Sequence, residues 1–384
     1  MRSFENILVT GGCGFIGTNF IRFLFSQPEF TGRIINMDAL TYAGNPDNLA
    51  DIEARYGGFP ANAPSSTRSG HGRYVFRHAD IRHTGTVNDL FSEYNIDGVV
   101  HFAAESHVDR SILGPRAFME TNVLGTFNLL EAASRHWGLQ GTNNGSPTSA
   151  FLFHHVSTDE VFGSLGDSGY FHEESPYDPR SPYSASKAAS DHLVRAYGHT
   201  YGLPFTISNC SNNYGPYQFP EKMLPLMILN LLDGKQLPVY GDGRNIRDWL
   251  HVEDHARAIW TVLRSGGEGR TYLVGGENEW ENIDLIKTLC AKIAARTGEA
   301  ESRFLAAIRF VADRPGHDRR YAIDCSRIKR ELGWTRLYDF SDGLDRTIEW
   351  YLDNSEWINR VREGSYRTWV DTNYAHRRVA AETT

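Results

Sequence analysis

Tyr183 and Lys187 stand four positions apart in a stretch of helical pattern, a spacing that puts a phenol and an ammonium on one helix face. A nearby cation favours the phenolate, so Lys187 can turn Tyr183 into a base. Moving a phenol pKa from about 10 to near 7 takes about 4 kcal/mol, much of which one ammonium supplies in a drying cleft. Upstream runs Ser157-Thr158-Asp159-Glu160. A Tyr/Lys couple alone suffices to oxidise an alcohol with a nicotinamide, whereas an acid and a base beside it point to removal of water as well. For Asp159 to give a proton near neutral pH its pKa must rise from about 4 to about 7, which burial and the Glu160 charge together provide. The two would titrate as a coupled pair. Adjacent strand residues point to opposite faces, so both carboxylates reach one substrate only where the chain leaves strand geometry, and Gly163 marks such a place. The plainer reading of the dipeptide is a strand-ending acid pair that caps a turn.

A second site opens the chain. Val9-Thr10-Gly11-Gly12-Cys13-Gly14-Phe15-Ile16-Gly17 follows a predicted strand and begins a predicted helix, with glycines spaced Gly-x-x-Gly-x-x-Gly. Such glycines let the backbone approach a pyrophosphate at a helix N-terminus. Asp38 ends the second predicted strand, where a carboxylate accepts hydrogen bonds from the adenosine ribose hydroxyls and repels a 2′-phosphate, favouring NAD over NADP. Asp80-Ile81 follows the third strand, where it faces an adenine or simply caps a helix.

The elements that position these residues read as β-rich runs alternating with helices. Strands are predicted at 7–10, 34–38, 74–76, 99–102 and 151–156, and helices at 15–25, 118–134 and 182–201. The fold class expected is α/β, a Rossmann-type doubly wound parallel sheet with a smaller mixed α/β substrate-binding region on the C-terminal side. We place the NAD-binding domain at 1–204, a mainly substrate-binding region at 205–375 with segments that return to the sheet, and a frayed tail at 376–384. A Gly/Pro/Ser-rich loop insertion occupies 57–72 and a polar turn occupies 141–149.

Composition excludes several classes. Thirty-nine basic against 47 acidic residues leave a net charge of −8, with no Lys/Arg tract to hold nucleic acid. Cys13, Cys210, Cys290 and Cys325 form no CxxC pair, so neither a disulfide framework nor a zinc knuckle is expected. His154 and His155 are neighbours on a strand whose side chains diverge, and no metal site is expected from them. No apolar run reaches membrane-span length and no leader pattern precedes Ile7, so the expected home is the cytoplasm. Trp249 and the aromatic residues of 346–370 read as core, and Cys13 as a small residue in a crowded turn.

Ser157-Thr-Asp-Glu-Val-Phe-Gly163, Tyr183-Ser-Ala-Ser-Lys187 and the run from Asn209 to Lys222 resemble the extended short-chain dehydrogenase/reductase family, and within it the branch that dehydrates nucleotide sugars. Further matching stretches are 103–111, Pro238-Val-Tyr240, 244–249, 252–255, 282–284 and 312–322, so the resemblance runs from about residue 5 to 370. The sequence departs from the pattern in the 57–72 insertion and in Phe162, where tyrosine is common.

The resemblance implies NAD-dependent dehydration of dTDP-glucose to the 4-keto-6-deoxy sugar. Tyr183 takes the C4 hydroxyl proton, Thr158 holds that oxygen, and Lys187 grips the nicotinamide ribose; Glu160 then removes the C5 proton and Asp159 protonates the leaving C6 hydroxyl. NAD is expected to be tightly bound and recycled. By the same resemblance the cofactor contacts are Gly11, Gly14, Phe15, Ile16 and Gly17, then Asp38, Ala39, Leu40 and Thr41, then Asp80 and Ile81. Ala103, Ala104, Ser106, Thr121, Asn213 and the Tyr183/Lys187 pair complete them. Substrate contacts are His107, Thr158, Asn212, Lys222, Met223, Pro238, Val239, Tyr240, Arg247 and Asn282, with Asp313, Arg314, Pro315, Gly316 and His317. Arg247 and Arg314 suit phosphate because a guanidinium holds two oxygens at once. A homodimer through helices near 118–134 and 182–201 is expected. The alternatives are a nucleotide-sugar 4-epimerase, a 4,6-dehydratase for another nucleotide, and a binding protein without catalysis; thymine and uracil differ by one methyl, worth about 1 kcal/mol.

Overall fold

The computed structural model describes residues 1–58, 72–139 and 151–362; the 57–72 insertion falls almost wholly outside these, as do the 141–149 turn and the tail. Its strands are β1 (Asn6–Thr10), β2 (Arg33–Asp38), β3 (Tyr74–His78), β4 (Gly98–His101), β5 (Leu152–Thr158), β6 (Phe205–Cys210), β7 (Asn212–Tyr214), β8 (Leu237–Tyr240), β9 (Ile246–His251), β10 (Arg270–Val274), β11 (Glu279–Glu281) and β12 (Ile308–Val311). Seven form one sheet in the order β3-β2-β1-β4-β5-β6-β10, parallel at every pairing. Parallel pairing with helical crossovers buries both faces, which is why Ile7, Leu8 and Val9 run as an unbroken apolar strand. Leu8 faces a core layer with Leu90, Phe91 and Leu130, while Ile7 and Val9 face the opposite layer with Phe20, Leu24 and Ile259. The doubly wound sheet is the architecture the sequence predicts. β6 and β10, which lie beyond residue 204, are strands of this sheet.

The remaining strands make a three-stranded sheet, β11-β9-β7, and a parallel pair, β12-β8. These and the helices Met223–Leu232, Asn282–Thr297 and Phe340–Asp353 enclose a separate apolar core around Ile228, Leu285, Leu289 and Leu344. Strand order reverses between β2 and β4 on either side of β1, and the carboxyl ends of the strands there leave a crevice that faces this second lobe.

Local signals account for the helix that carries Tyr183 and Lys187. It spans Pro182–Tyr201, with Ser181 and Ser184 in a reciprocal capping box, Pro182 in the first turn and Gly202 in the left-handed conformation at its end. The helix predicted over 118–134 is instead broken into Pro115–Phe118, a π-helical segment Met119–Gly125, and Thr126–His136. The wider turn of the middle segment presents buried Asn122 to Glu105 and Ser186, a shift that apolar periodicity does not register.

Candidate active site

The glycine turn after β1 is built for close approach. Gly11 has φ +71°, and a Cβ there would sit 2.8 Å from the Ala103 backbone; a Cβ on Gly17 would lie 2.4 Å from the Gly11 carbonyl oxygen. Gly14 precedes the helix Phe15–Ser26 with no side-chain cap, so the first N–H groups of that helix remain available to an anion. Asp38 accepts hydrogen bonds from Cys13 N at 2.9 Å and Leu40 N at 2.8 Å, and burial raises its pKa against those donors. Its remaining lone pairs are free for hydroxyl donors. Burial and the Asp38 charge push the Cys13 thiol up to about 12, which leaves it inert.

From this turn a cleft of about 350 Å³ runs to the end of β5. Gly11, Gly14, Phe15, Ile16, Gly17, Asp38, Ala39, Thr41, Asp80 and Ile81 line one end; Ala103, Ala104, Ser106, Thr121, Thr158, Tyr183, Lys187 and Asn213 line the other. Leu40 lines neither this cleft nor its neighbour. With φ +50° it turns its amide back onto Asp38, so it shapes the loop and leaves the contact to Ala39 and Thr41. Asp80 is turned back on the Arg82 amide and guanidinium and does not serve as the helix cap, since the next helix begins at Thr84 with His83 at its N-cap and no side-chain cap.

At the far end β5 stops at Thr158, and residues Asp159–Phe162 form a single 3₁₀ turn closed by Gly163 at φ +83°. This departure from strand geometry lets Asp159 and Glu160 serve one cavity. The Thr158 hydroxyl accepts from Glu160 N at 3.2 Å and donates to Asp159 Oδ1 at 3.3 Å, while Asp159 Oδ2 is buried with no hydrogen-bond partner among the described residues. Burial, then Glu160 and Asp248, drive the Asp159 pKa well above the usual carboxylate range. Burial also raises Glu160, but Arg314, Arg247 and Lys222 pull it back. Two adjacent carboxyls thus sit in unequal fields, both raised by burial, with the largest charge contribution adding to the rise at Asp159 and opposing it at Glu160. Phe162 packs against Phe171 and Tyr177 with ring centroids 5.2 Å away in each case, so its departure from tyrosine is absorbed in the core.

Tyr183 and Lys187 are both buried beside this turn. The expectation that Lys187 depresses the phenol differs from what the structure contains. The Lys187 ammonium donates to Val156 O at 2.9 Å and lies 3.4 Å from His155 Nε2, directed into the seam between helix and sheet. Burial, then Glu160, pushes the Tyr183 pKa well above its ordinary value, because desolvation and a neighbouring carboxylate outweigh a cation engaged elsewhere. Burial likewise brings Lys187 down to about 8, against the pull of Asp191. Asp191 accepts from Ser157 Oγ at 2.9 Å and Tyr177 OH at 2.7 Å, and its Oδ1 lies 3.2 Å from His155 Nε2. His154 points the other way, to Thr206 and Ser208, as alternation on a strand requires.

A second cleft, of about 190 Å³, continues into the C-terminal lobe. Ser106, Glu160, Asn212, Glu221 and Lys222 line both clefts and define their junction. Beyond it lie His107, Met223, Pro238, Val239, Tyr240, Arg247, Asn282, Arg314 and His317. Arg247 is braced by Asp318 O at 2.9 Å and lies over the Tyr321 ring at 4.2 Å. Burial, with Arg314 and Arg247 nearby, takes His317 down to about 4, and its Nδ1 lies 2.6 Å from Asp313 Oδ1. Asp313, Pro315 and Gly316 line neither cleft: Asp313 orients His317 and the Arg314 amide, and Pro315 and Gly316 form the exposed tip of that turn.

Several residues that line or support the clefts escaped the sequence reading. Asn122 reaches Glu105 N, Glu105 O and Ser186 Oγ from the π-helical segment and fixes the loop that bears Ala103–Ser106. Tyr42 and Glu221 line the first cleft and Asp109 and Tyr321 the second. Trp249, expected as core, is buried against Tyr214 and Phe340 and also walls the second cleft. A buried polar residue within an apolar helical run was the one available signal, for Asn122; the others depend on contacts remote in sequence.

The GDP-mannose 4,6-dehydratase family profile matches residues 8–347. The chain is 49% identical over 380 residues to dTDP-glucose 4,6-dehydratase of Salmonella typhimurium, covering 97% of this chain and 99% of that one. The chain belongs to the dTDP-glucose 4,6-dehydratase family. Another member of this dehydratase family, from Neisseria meningitidis, is 51% identical over 367 residues, covering 94% of this chain and 98% of its own length. Among solved structures, the dTDP-glucose 4,6-dehydratase of Streptomyces venezuelae, with NAD bound, superposes with a TM-score of 0.80 at 45% identity, covering 92% of this chain and 98% of that one. UDP-glucose 4-epimerase of Thermotoga maritima has the same fold, with a TM-score of 0.75 at 24% identity over 91% of this chain and all of its own. The dehydratase family and this epimerase thus share the scaffold, which by itself does not tell their reactions apart.

Proposed function

We propose that this chain removes water from dTDP-glucose to give dTDP-4-keto-6-deoxyglucose, with NAD held throughout the cycle. The observation that carries the reading is the turn after β5, which brings two carboxyls in unequal fields beside Tyr183. An epimerase needs only the Thr/Tyr/Lys set, so the Asp159/Glu160 pair favours dehydration. The names of the relatives agree in reaction and nucleotide, and the glycine cradle and Asp38 suit NAD.

The C5 hydrogen of a glucose unit is not acidic until C4 is a ketone. NAD, when bound, would supply the hydride acceptor at C4 and the donor that returns it to C6, and Glu160 would give back to C5 the proton it removed, which completes the 4-keto-6-deoxy sugar. Tyr183 would take the C4 hydroxyl proton once the positive nicotinamide ring, bound beside it, offsets the burial and the Glu160 charge that raise its pKa, and Thr158 would hold that oxygen. Lys187, which lines the cleft and donates to Val156 O, would hold the nicotinamide ribose. Glu160, kept nearer ionisation by Arg314, Arg247 and Lys222, removes the C5 proton. Asp159, kept protonated by burial, gives its proton to the leaving C6 hydroxyl and so prevents loss of hydroxide into a dry site. Arg247, Arg314 and Lys222 then face the diphosphate, with Pro238, Val239 and Tyr240 toward the base. Buried Asn282 Oδ1, without a hydrogen-bond partner among the described residues, is available to a donor of the nucleotide.

Incubation of the purified protein with dTDP-glucose and no added NAD, followed by mass spectrometry, is expected to show loss of one water and a 4-keto product. Conversion to the galacto isomer at unchanged mass would instead assign an epimerase, and inertness even with added NAD would point to another nucleotide or to a binding protein. The same reading includes a homodimer formed through the helices near 118–134 and 182–201, supported by exposed Phe127 and Tyr201, whose rings both pack on Tyr197, and by exposed Leu124 three positions before Phe127. Light scattering is expected to return twice the mass of the chain; the monomer mass would remove the dimer.

A further inference from the structure

Tyr42, Arg110 and Glu221 come from three separate segments and meet at the wall of the cofactor cleft. The Arg110 guanidinium lies 3.8 Å from the Tyr42 ring centroid, and its Nη2 is 3.2 Å from Glu221 Oε2. The Tyr42 side chain lies beside Glu221, whose charge, after burial, raises the phenol pKa, and the Glu221 side chain is itself almost fully buried. The Tyr42 ring meets Phe219 edge-on at 5.6 Å. Tyr42 and Glu221 both line the cleft, one from the loop that follows Asp38 and the other from the segment that leads to Lys222.

That loop is held at both ends. Asp38 accepts from Leu40 N, Gly44 N donates to Thr41 O at 3.0 Å, and Asn45 N donates to Cys13 O at 2.9 Å in the glycine turn. Tyr42 is therefore presented from a braced tip rather than from a loose loop. It crosses from the wall that suits adenosine to the wall that suits the sugar. A dinucleotide lying between Gly11 and Lys187 would occupy the cleft whose walls Tyr42 and Glu221 supply and this contact joins. Opening it separates a stacked cation from its ring and strips a buried carboxylate of its partner, both costly in a dry site.

We propose that Tyr42, Arg110 and Glu221 form a strap that retains NAD between turnovers. The inference rests on the reading of the chain as an NAD-recycling dehydratase, in which the cofactor leaves each cycle in the form in which it entered. No step of that cycle requires exchange, so a closed strap costs nothing in turnover and prevents loss of the cofactor. Tyr42 and Arg110 touch neither the reacting carbons nor the proton donors of the proposed chemistry; they act on the rate at which the cofactor escapes.

The test uses the holoenzyme. NAD released from wild type, Arg110→Met and Tyr42→Leu is consumed by an excess of an unrelated NAD-specific dehydrogenase, and the release rate is read from the reduced nicotinamide formed. Both variants are expected to release NAD at least tenfold faster than wild type and to emerge from purification with less of it. Near-UV circular dichroism and size exclusion verify the fold, and Arg110→Lys, which keeps the charge and loses the flat stack, replaces any variant that does not fold. Release at the wild-type rate from folded variants overturns the strap. The readout involves no sugar, so a strap that fails is distinguishable from a dehydratase that fails: the first leaves water loss from dTDP-glucose intact, and the second leaves NAD release measurable.

Discussion

In Asp159→Asn, dTDP-glucose is expected to be oxidised at C4 and held there. Reduced nicotinamide absorbance should rise with substrate, and deuterium should enter C5 of recovered sugar in heavy water, while water loss slows by about 10²–10⁴-fold. The reasons are steric and electrostatic together. Asparagine preserves the shape and can still accept from Thr158, but it carries no acidic proton for the leaving hydroxyl. Glu160→Gln should behave differently: reduced nicotinamide appears, yet no deuterium enters C5, because the group facing Arg314, Arg247 and Lys222 can no longer take a proton. Loss of C5 exchange in both variants to the same degree would show that the two carboxyls do not divide the work, and the assignment of acid and base would have to be abandoned.

Tyr183→Phe keeps the ring that packs edge-on against Phe118 but removes the hydroxyl, and it is expected to abolish nicotinamide reduction by about 10²–10⁴-fold with nucleotide-sugar binding intact. The pH profile should identify the cation beside it. Lys187 must be charged to hold the ribose, and burial places its pKa at about 8, so kcat/KM should fall as pH rises through that value. Glu160 must be ionised, and its raised pKa puts the acid limb above the ordinary glutamate value of 4.5. Asp191 raises the Lys187 pKa; in Asp191→Asn that support is lost and the alkaline limb should move to lower pH. Tyr177→Phe removes one donor to Asp191 without changing any charge at neutral pH, and serves as the control for packing. An alkaline limb that stays in place in folded Asp191→Asn would detach Lys187 from that limb.

Much of the site was legible because its spacing is local. A glycine turn between a strand and a helix, an acid at the end of the next strand, and a phenol four positions before a lysine each have one economical geometry, and the structure brings all of them to one cleft. Gly163 pointed to the turn that lets Asp159 and Glu160 share a cavity. Leu40, Asp313, Pro315 and Gly316 lie within motifs whose neighbours line the clefts, but they serve the loops that present those neighbours. A contiguous motif does not reveal which of its members face inward, since the backbone turns between one residue and the next. The π-helical placement of Asn122 was equally hidden, because one wider turn leaves the apolar pattern almost unaltered.

By itself the amino-acid order determined the doubly wound sheet, the glycine turn after β1 and the local spacing of the proposed reacting groups, since these follow from periodicity and from residues within a few positions of one another. Tertiary structure alone decided their charge states and their enclosure. The high Asp159 pKa, the tempered Glu160, the Lys187 ammonium turned toward Val156, and the meeting of Tyr42, Arg110 and Glu221 all arise from segments far apart in the chain. Desolvation and Coulomb interaction depend on everything that surrounds a group in space, and that sum exists only once the two lobes have closed around the cleft.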